Sequence, residues 1–365
     1  MIKARSIALL LISVIVLALA ASCGSRSNSP GASTGTDSPS VMPSGSANAS
    51  PSAESTPKEL VTVKFSEVIR SIFYAPHYIA ISKGFYEEEG LKVDMNTAQG
   101  SDKGAAALIA GNADISMVGP ETAIYIHNQK GAKTLKIFHQ LTLKDGSFLL
   151  SRNKTDSFKW SDLSGKTVIG WRPGSAPQMV LNSLLAKEGV KDAKVITNIA
   201  STAMVGAFTS GQGDYIQVYE PVASSLVKEG KAYYAASLGE DFGAYPETSF
   251  VATSDYIRSH PDIIQSFVNA VAKGRQWLNT ASSDEIADAL MPFFEGTSKE
   301  LILSSIERYK SQDTWPAVPE LTPEAFDTLQ NVLIDNGVLK PEEKLANLEE
   351  VADMSFVRKI GQEGK

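Results

Sequence analysis

The segment Gly111-Asn112-Ala113-Asp114-Ile115-Ser116-Met117-Val118 returns one hundred positions later as Gly211-Gln212-Gly213-Asp214-Tyr215-Ile216-Gln217-Val218. In both copies a helical pattern runs into glycine, an aspartate follows three residues on, and a strand-like run comes next. Ala123 falls opposite Ala223, and a Pro-Glu or Glu-Pro pair opens the helix beyond each strand. One supersecondary unit used twice at this spacing reads as an internal repeat. It restricts the fold to two related halves.

Periodicity fills in each half. Leu60 to Phe65 alternates as a strand, and a helical pattern follows from about Pro76 to Tyr86. Next come a strand at Leu91 to Met95, a Gly100-Ser101 turn into a helix through Ile109, a strand at Asp114 to Val118, a helix from Pro120 to about Gln129, and a strand near Leu135 to Phe138. After Phe148-Leu149-Leu150 the pattern restarts: strand Thr167 to Gly170, helix Ala176 to Lys187, strand Lys194 to Thr197, helix Ala203 to Thr209, strand Tyr215 to Val218, helix Pro221 to Lys228. Such alternation means a largely parallel sheet covered by helices in each half. Beyond a strand at Ser249 to Ala252, four helices (261–278, 284–290, 299–310, 323–336) bring no sheet of their own and must return to the first half. The expected architecture is α/β, with lobe 1 formed by residues 58–150 plus 251–365 and lobe 2 by residues 151–250. The chain crosses between lobes near 147–152 and 247–253, a two-strand hinge.

The N-terminus sets the compartment. Lys3 and Arg5 precede an apolar run from Ile7 to Ala21 that stops at Ala20-Ala21-Ser22-Cys23, so residues 1–22 read as a signal peptide with a lipobox-like end. The run is shorter than the roughly 20 apolar residues that span a bilayer. Leu19 stands one place early for a lipobox, leaving Ala20 at the usual aliphatic position. Cys23 is the only cysteine, so no internal disulfide forms, and a lone thiol at a cleavage site reads as a lipid acceptor. Each buried CH₂ of such a lipid is worth about 0.8 kcal/mol. The segment 23–57 is Ser, Gly, Pro, Ala and Thr with almost no large apolar residue, so it reads as a disordered tether with a reach of roughly 30–35 Å. Its Gly31-Ala32-Ser33-Thr34-Gly35 fits G-x-S-x-G by letter, but no strand or helix flanks it, and the match is chance. The formal charge of −7 argues against nucleic acid or an anionic membrane surface as partner.

From Tyr74-Ala75-Pro76-His77-Tyr78-Ile79-Ala80-Ile81-Ser82-Lys83-Gly84-Phe85-Tyr86 through Glu87-Glu88-Glu89-Gly90-Leu91-Lys92-Val93, the chain resembles the opening of a nitrate/sulfonate/taurine-type substrate-binding protein, a superfamily that includes binders of thiamine-pyrimidine precursors. Ala106 to Asp114, Asp162 to Val168, and Tyr219-Glu220-Pro221 resemble it too. The resemblance spans roughly residues 60–280. It implies a type II periplasmic-binding-protein fold with a ligand cleft between two α/β lobes, a small-molecule ligand, a cognate ABC permease with its ATPase, and a monomer.

Ligands of open α/β sheets sit beyond the carboxyl ends of strands, facing helix N-termini. That places Arg70 to His77, Gly100 to Gly104, Gly119 to Thr122 and Trp171 to Gln178 at the cleft, with Tyr219 and Glu220 the second-half equivalents of Gly119 and Pro120. The ligand-binding candidates are Tyr74, His77, Ser101, Pro120, Glu121, Trp171, Ser175, Tyr219 and Glu220. Helix starts at Ser101-Asp102 and Ser175-Ala176, with Arg70 and Arg172, suit an anion. The aromatic rings of Phe73, Tyr74, Trp171 and Tyr219, with Glu121 and Glu220, suit an aminopyrimidine or amine. Each has a plainer reading as cap, ion pair or wall packing, and the two sets leave the ligand class open.

An enzyme finds little support. His77, His127, His139 and His260 lack metal-ligand spacing and cysteine ligands are missing, so neither metal nor cofactor is expected. Ser164-Gly165-Lys166-Thr167 is P-loop-like only in part, because Trp160 stands where the first glycine is needed. The alternatives are a solute-sensing surface receptor and an exported relative of the pyrimidine-synthesising enzymes that share this fold.

Overall fold

The computed structural model describes residues 59–361, which lie in one compact unit. The expected signal peptide, Cys23 and the expected tether lie outside the described residues. No helix among the described residues is long and apolar enough to cross a membrane.

Ten strands form two five-stranded sheets. They are β1 (Val61–Glu67), β2 (Leu91–Thr97), β3 (Ile115–Val118), β4 (Leu135–Gln140), β5 (Ser147–Ser151), β6 (Thr167–Ile169), β7 (Lys194–Ile196), β8 (Tyr215–Tyr219), β9 (Tyr233–Ser237) and β10 (Ser249–Thr253). The first sheet has the order β2-β1-β3-β10-β4 and the second β7-β6-β8-β5-β9. In each, three strands run parallel, and a strand arriving from the other half, β10 or β5, pairs antiparallel beside them.

The repeat has a structural counterpart. Asp114, just before β3, accepts the backbone N–H of Lys64 at 2.8 Å and donates its own N–H to the Lys64 carbonyl. Asp214, just before β8, makes the same pair with Thr167. Each aspartate thus pins the start of the third strand to the first, which explains why Asp survives in both copies when most neighbours differ. The central parallel strands β3 and β8 are buried along their whole length, as helix-covered sheets require, whereas the edge strands β2 and β7 carry exposed residues.

The strand β9 has no counterpart among the expected elements. Its Tyr233-Tyr234-Ala235-Ala236-Ser237 lies at the sheet edge and carries no clear alternation of apolar and polar residues. The long C-terminal helices are where the periodicity places them, at Pro261–Thr280, Ser283–Leu290, Lys299–Ser311 and Pro323–Asp335. The first packs on Ala75–Ser82 beside the first sheet. The last two go further than the expected return to the first half, packing on Val222–Lys228 and Ala176–Lys187 beside the second sheet. Lys228 pairs with Glu300 at 2.7 Å, and the Asn336 amide donates to Ser183 Oγ at 3.2 Å.

The chain passes between sheets at 141–146 and 238–248, just ahead of the expected crossings. The two passages are joined to each other. Leu141 N–H donates to the Thr248 carbonyl at 2.9 Å, and Thr248 N–H to Thr142 Oγ1 at 3.0 Å. Gly146 is required here, since a Cβ would stand 2.3 Å from the Phe73 ring.

Candidate functional site

A cavity of about 320 Å³ opens between the carboxyl ends of the two sheets. Val68 and Ile69 reach it from the end of β1, Gln99 to Lys103 from β2, and Gly119 from β3. From the second sheet come Trp171, Arg172 and Ser175 to Pro177 beyond β6, Ile199 to Thr202 beyond β7, and Tyr219 at the end of β8. Glu247 and Thr248, on the second passage, complete it together with Tyr74. This volume suits a small organic solute.

Five sequence-derived candidates meet there: Tyr74, Ser101, Trp171, Ser175 and Tyr219. Trp171 and Tyr219 stand edge to face, with centroids 5.3 Å apart, and Tyr219 continues to Phe73 at 5.6 Å. The Trp171 indole N–H has no protein partner. Ser101 Oγ accepts the Gly119 N–H at 3.2 Å, and Ser175 donates to the Arg172 carbonyl at 2.7 Å, so neither hydroxyl caps its own helix. Gly100, before the first of these helices, has φ +153, and a Cβ there would stand 2.5 Å from Asp102 Oδ1.

The other candidates lie elsewhere. His77 is fully buried in the first half, stacked on Phe65 at 4.3 Å and hydrogen-bonded through Nδ1 to Tyr86 at 2.7 Å. Burial, with the Arg70 charge adding to it, lowers its pKa to about 3, so it is neutral core. Pro120 is buried at a helix start and does not line the cavity.

Glu220 is fully buried in a network: Ser224 N–H at 2.9 Å, Tyr234 OH at 2.5 Å, Ser305 Oγ at 3.2 Å and Arg308 Nε at 3.1 Å all donate to it. It fastens the Lys299–Ser311 helix to the second sheet. Arg70 is likewise engaged, by Glu67 at 2.8 Å; with Glu220 it lines an adjoining pocket that shares Ile69, Gln99, Trp171, Ser201, Thr202 and Tyr219 with this cavity.

Glu121 is a near neighbour. It lines an adjoining cavity, and its carboxylate lies behind Gly119, which faces the ligand space. Burial raises its pKa to about 7, while its own N–H, the Arg172 charge and the Ala176 N–H pull the other way. Across the mouth, Arg172 pairs with Asp102 at 3.1 Å and the Tyr125 hydroxyl donates to the Gly174 carbonyl at 3.1 Å, so the halves touch beside the cavity.

Glu247 and its neighbour Asp145 are the residues that sequence reasoning missed. Glu247 is 4 % exposed and Asp145 1 %. Glu247 accepts the Gly146 N–H at 2.7 Å and the Tyr219 hydroxyl. Asp145 accepts the Ser147 N–H at 2.7 Å and the Ser147 hydroxyl, leaving Oδ2 without a partner. Burial pushes both acids up, Asp145 to about 7, and the Asp145 charge raises Glu247 further. A signal for them exists: Asp145-Gly146-Ser147-Phe148-Leu149 and Glu247-Thr248-Ser249-Phe250-Val251 share an acid two residues before a Ser-Phe-aliphatic strand start. Their pairing with β8 and β3 differs by one residue, Ser147 opposite Tyr219 but Ser249 opposite Val118. Among the described residues no group of three or more His, Cys, Asp or Glu is placed to hold a metal ion.

Residues 72–281 match the family model described as NMT1/THI5 like. The chain belongs to this family. A relative in Bacillus subtilis (strain 168), YtlA, is described only as a binding protein; it is 40 % identical over 296 residues, covering 80 % of this chain and 89 % of its own. The NMT1/THI5-like fold seen here is that of periplasmic binding proteins. The periplasmic nitrate-binding protein NrtA from Synechocystis PCC 6803 superposes with a TM-score of 0.66 at 21 % identity, over 83 % of this chain and 89 % of that one. The alkanesulfonate-binding protein SsuA from Xanthomonas axonopodis pv. citri, solved with MOPS, gives 0.65 at 16 % identity, over 81 % and 99 %. YtlA and these two solved neighbours are named for binding rather than for catalysis.

Proposed function

We propose that this NMT1/THI5-like protein is the extracytoplasmic solute-binding component of an ABC importer, holding a small sulfonate, taurine, nitrate or pyrimidine-like solute between two lobes and presenting the closed form to a permease. The observation that carries the reading is the cleft itself. It lies at the carboxyl ends of both sheets, has aromatic walls at Tyr74, Trp171 and Tyr219, and is backed by the two passages at 141–146 and 238–248. Lobe 1 is then built on the first sheet and lobe 2 on the second, with the boundaries moved from the expected 150 and 251 to the passages at 141–146 and 238–248. A lipid on Cys23 holds the protein at the membrane, and the segment 24–57 is the tether. Ligand binding favours closure in proportion to its preference for the closed state.

A thermal-shift screen of the purified protein against nitrate, taurine, alkanesulfonates, aromatic sulfonates, aminopyrimidines and polyamines tests this reading. A ligand at about 100 times its Kd stabilises by roughly 2.7 kcal/mol. A binder whose shift is lost in Trp171→Ala supports it; a full panel without a shift counts against it.

A further inference from the structure

We infer that the ligand of this cleft presents a protonated or hydrogen-bond-donating nitrogen to Glu247, which selects such ligands over nitrogen-free sulfonates and inorganic oxyanions. The inference rests on the solute-binding reading above and adds the ligand's chemical class.

The groups that would hold an anion are already engaged by the protein's own carboxylates. Arg172 pairs with Asp102 at 3.1 Å, and that aspartate lies in the first turn of the Ser101–Ala110 helix, where the unpaired N–H groups would otherwise face a ligand. The second helix start, at Ala176, lies close enough to Glu121 for its N–H to pull the pKa of that acid down. Of the cations around the cavity, Lys103 remains, and it is exposed.

Glu247 is the reverse case. It lines the cavity and is buried, and among the described residues the Gly146 N–H and the Tyr219 hydroxyl donate to it. A carboxylate has about four acceptor positions, so capacity remains for a donor from the cavity side. Asp145 and Glu121 add negative charge behind it. The ionised carboxylate repels an oxyanion, whereas an ammonium or amino group offers it a further donor and opposite charge. The rings of Trp171 and Tyr219 suit a cationic or flat nitrogenous group equally.

This assignment has a proton signature. Burial and the Asp145 charge raise the pKa of Glu247, and a bound cation lowers it again, so binding of an ammonium favours the carboxylate and releases proton from any fraction that carries one. Affinity for a permanently protonated amine therefore rises with pH until Glu247 is ionised in the free protein. The ionisable groups acting on Glu247 are Asp145, Glu121, Tyr219, Tyr74, Tyr245 and Tyr309, with Asp102, Lys103 and Arg172 around the cavity. The tyrosines are neutral in the range concerned, since burial raises every one of them.

Titration calorimetry on the purified protein with matched probes tests the inference: taurine against ethanesulfonate, 4-aminopyrimidine against pyrimidine, putrescine and nitrate. We expect an amino compound to bind at least tenfold more tightly than its partner, and Glu247→Gln to remove most of that preference while Trp171→Ala weakens both. For taurine or putrescine, affinity should rise with pH, with proton release, as Glu247 of the free protein ionises above the ordinary carboxylate range. Ethanesulfonate or nitrate binding as tightly as the amino probes, or affinity rising as pH falls, overturns the inference and leaves the solute-binding reading standing. Absence of binding by every probe overturns both. If Glu247→Gln does not fold, the pH dependence of the parent protein decides alone.

Discussion

The hydroxyl of Tyr219, at the end of β8, donates to the carboxylate of Glu247, on the passage that leads into β10. One hydrogen bond thus ties the second sheet to a crossover into the first, and both partners line the cleft. If the lobes close on a ligand as proposed, ligand contact and lobe movement share this atom pair, and a ligand that displaces or tightens the bond acts directly on the passage at 238–248.

The aromatic wall should carry a large share of the affinity. Trp171→Ala is expected to weaken binding of the best ligand by about tenfold or more, roughly 1.4 kcal/mol, with the unfolding midpoint little changed because Trp171 is only half-buried. Calorimetry and thermal denaturation of the same variant check both halves of this statement.

Glu121 gives a pH dependence with a defined sign. Its folded pKa of about 7 lies above the unfolded value, so the folded state binds the extra proton and loses stability as pH rises from about 4.5 to about 7. At about 1.4 kcal/mol per pKa unit the loss amounts to about 3 kcal/mol. Glu121→Gln should therefore be stabilised relative to the parent at pH 8 far more than at pH 5, as read from urea unfolding at the two values. His77 and His139, both held near pKa 3 by burial, act oppositely, removing stability as pH falls from about 6.5.

Glu220 should matter for stability. Replacing its partner by Arg308→Met leaves a buried carboxylate without its cation and is expected to lower stability by about 3 kcal/mol. Ligand affinity measured well below the unfolding midpoint should remain within a few-fold of the parent.

The ion pair across the mouth is different, because Asp102 and Arg172 are largely solvated. Asp102→Asn is expected to change stability by less than about 1 kcal/mol. It should raise the ligand off-rate a few-fold in stopped-flow measurements, since one contact between the closed halves is gone.

At the N-terminus, Cys23→Ala should release the protein from the membrane fraction. Retention of a processed Cys23→Ala protein on membranes would contradict lipidation.

The two-half architecture was legible because parallel strands and amphipathic helices carry local periodicity, and because Asp114 and Asp214 do one backbone-pinning task twice. Cleft residues at strand ends, such as Trp171 and Tyr219, were legible from topology alone. A motif position says nothing of which way a side chain turns: His77 stacks on Phe65, and Glu220, though at the wall of the adjoining pocket, reaches Arg308, 88 residues along the chain. Glu247 was hidden in an irregular passage without periodicity, and its burial depends on two distant segments meeting. The edge strand β9 escaped for want of alternation.

The central claim is that a solute is captured between lobes that move about 141–146 and 238–248, and small-angle scattering with and without a tight ligand tests it most directly. The account predicts a smaller radius of gyration and a shortened pair-distance distribution at saturation. A ligand proved by calorimetry to bind tightly, with scattering curves that superpose, would contradict it.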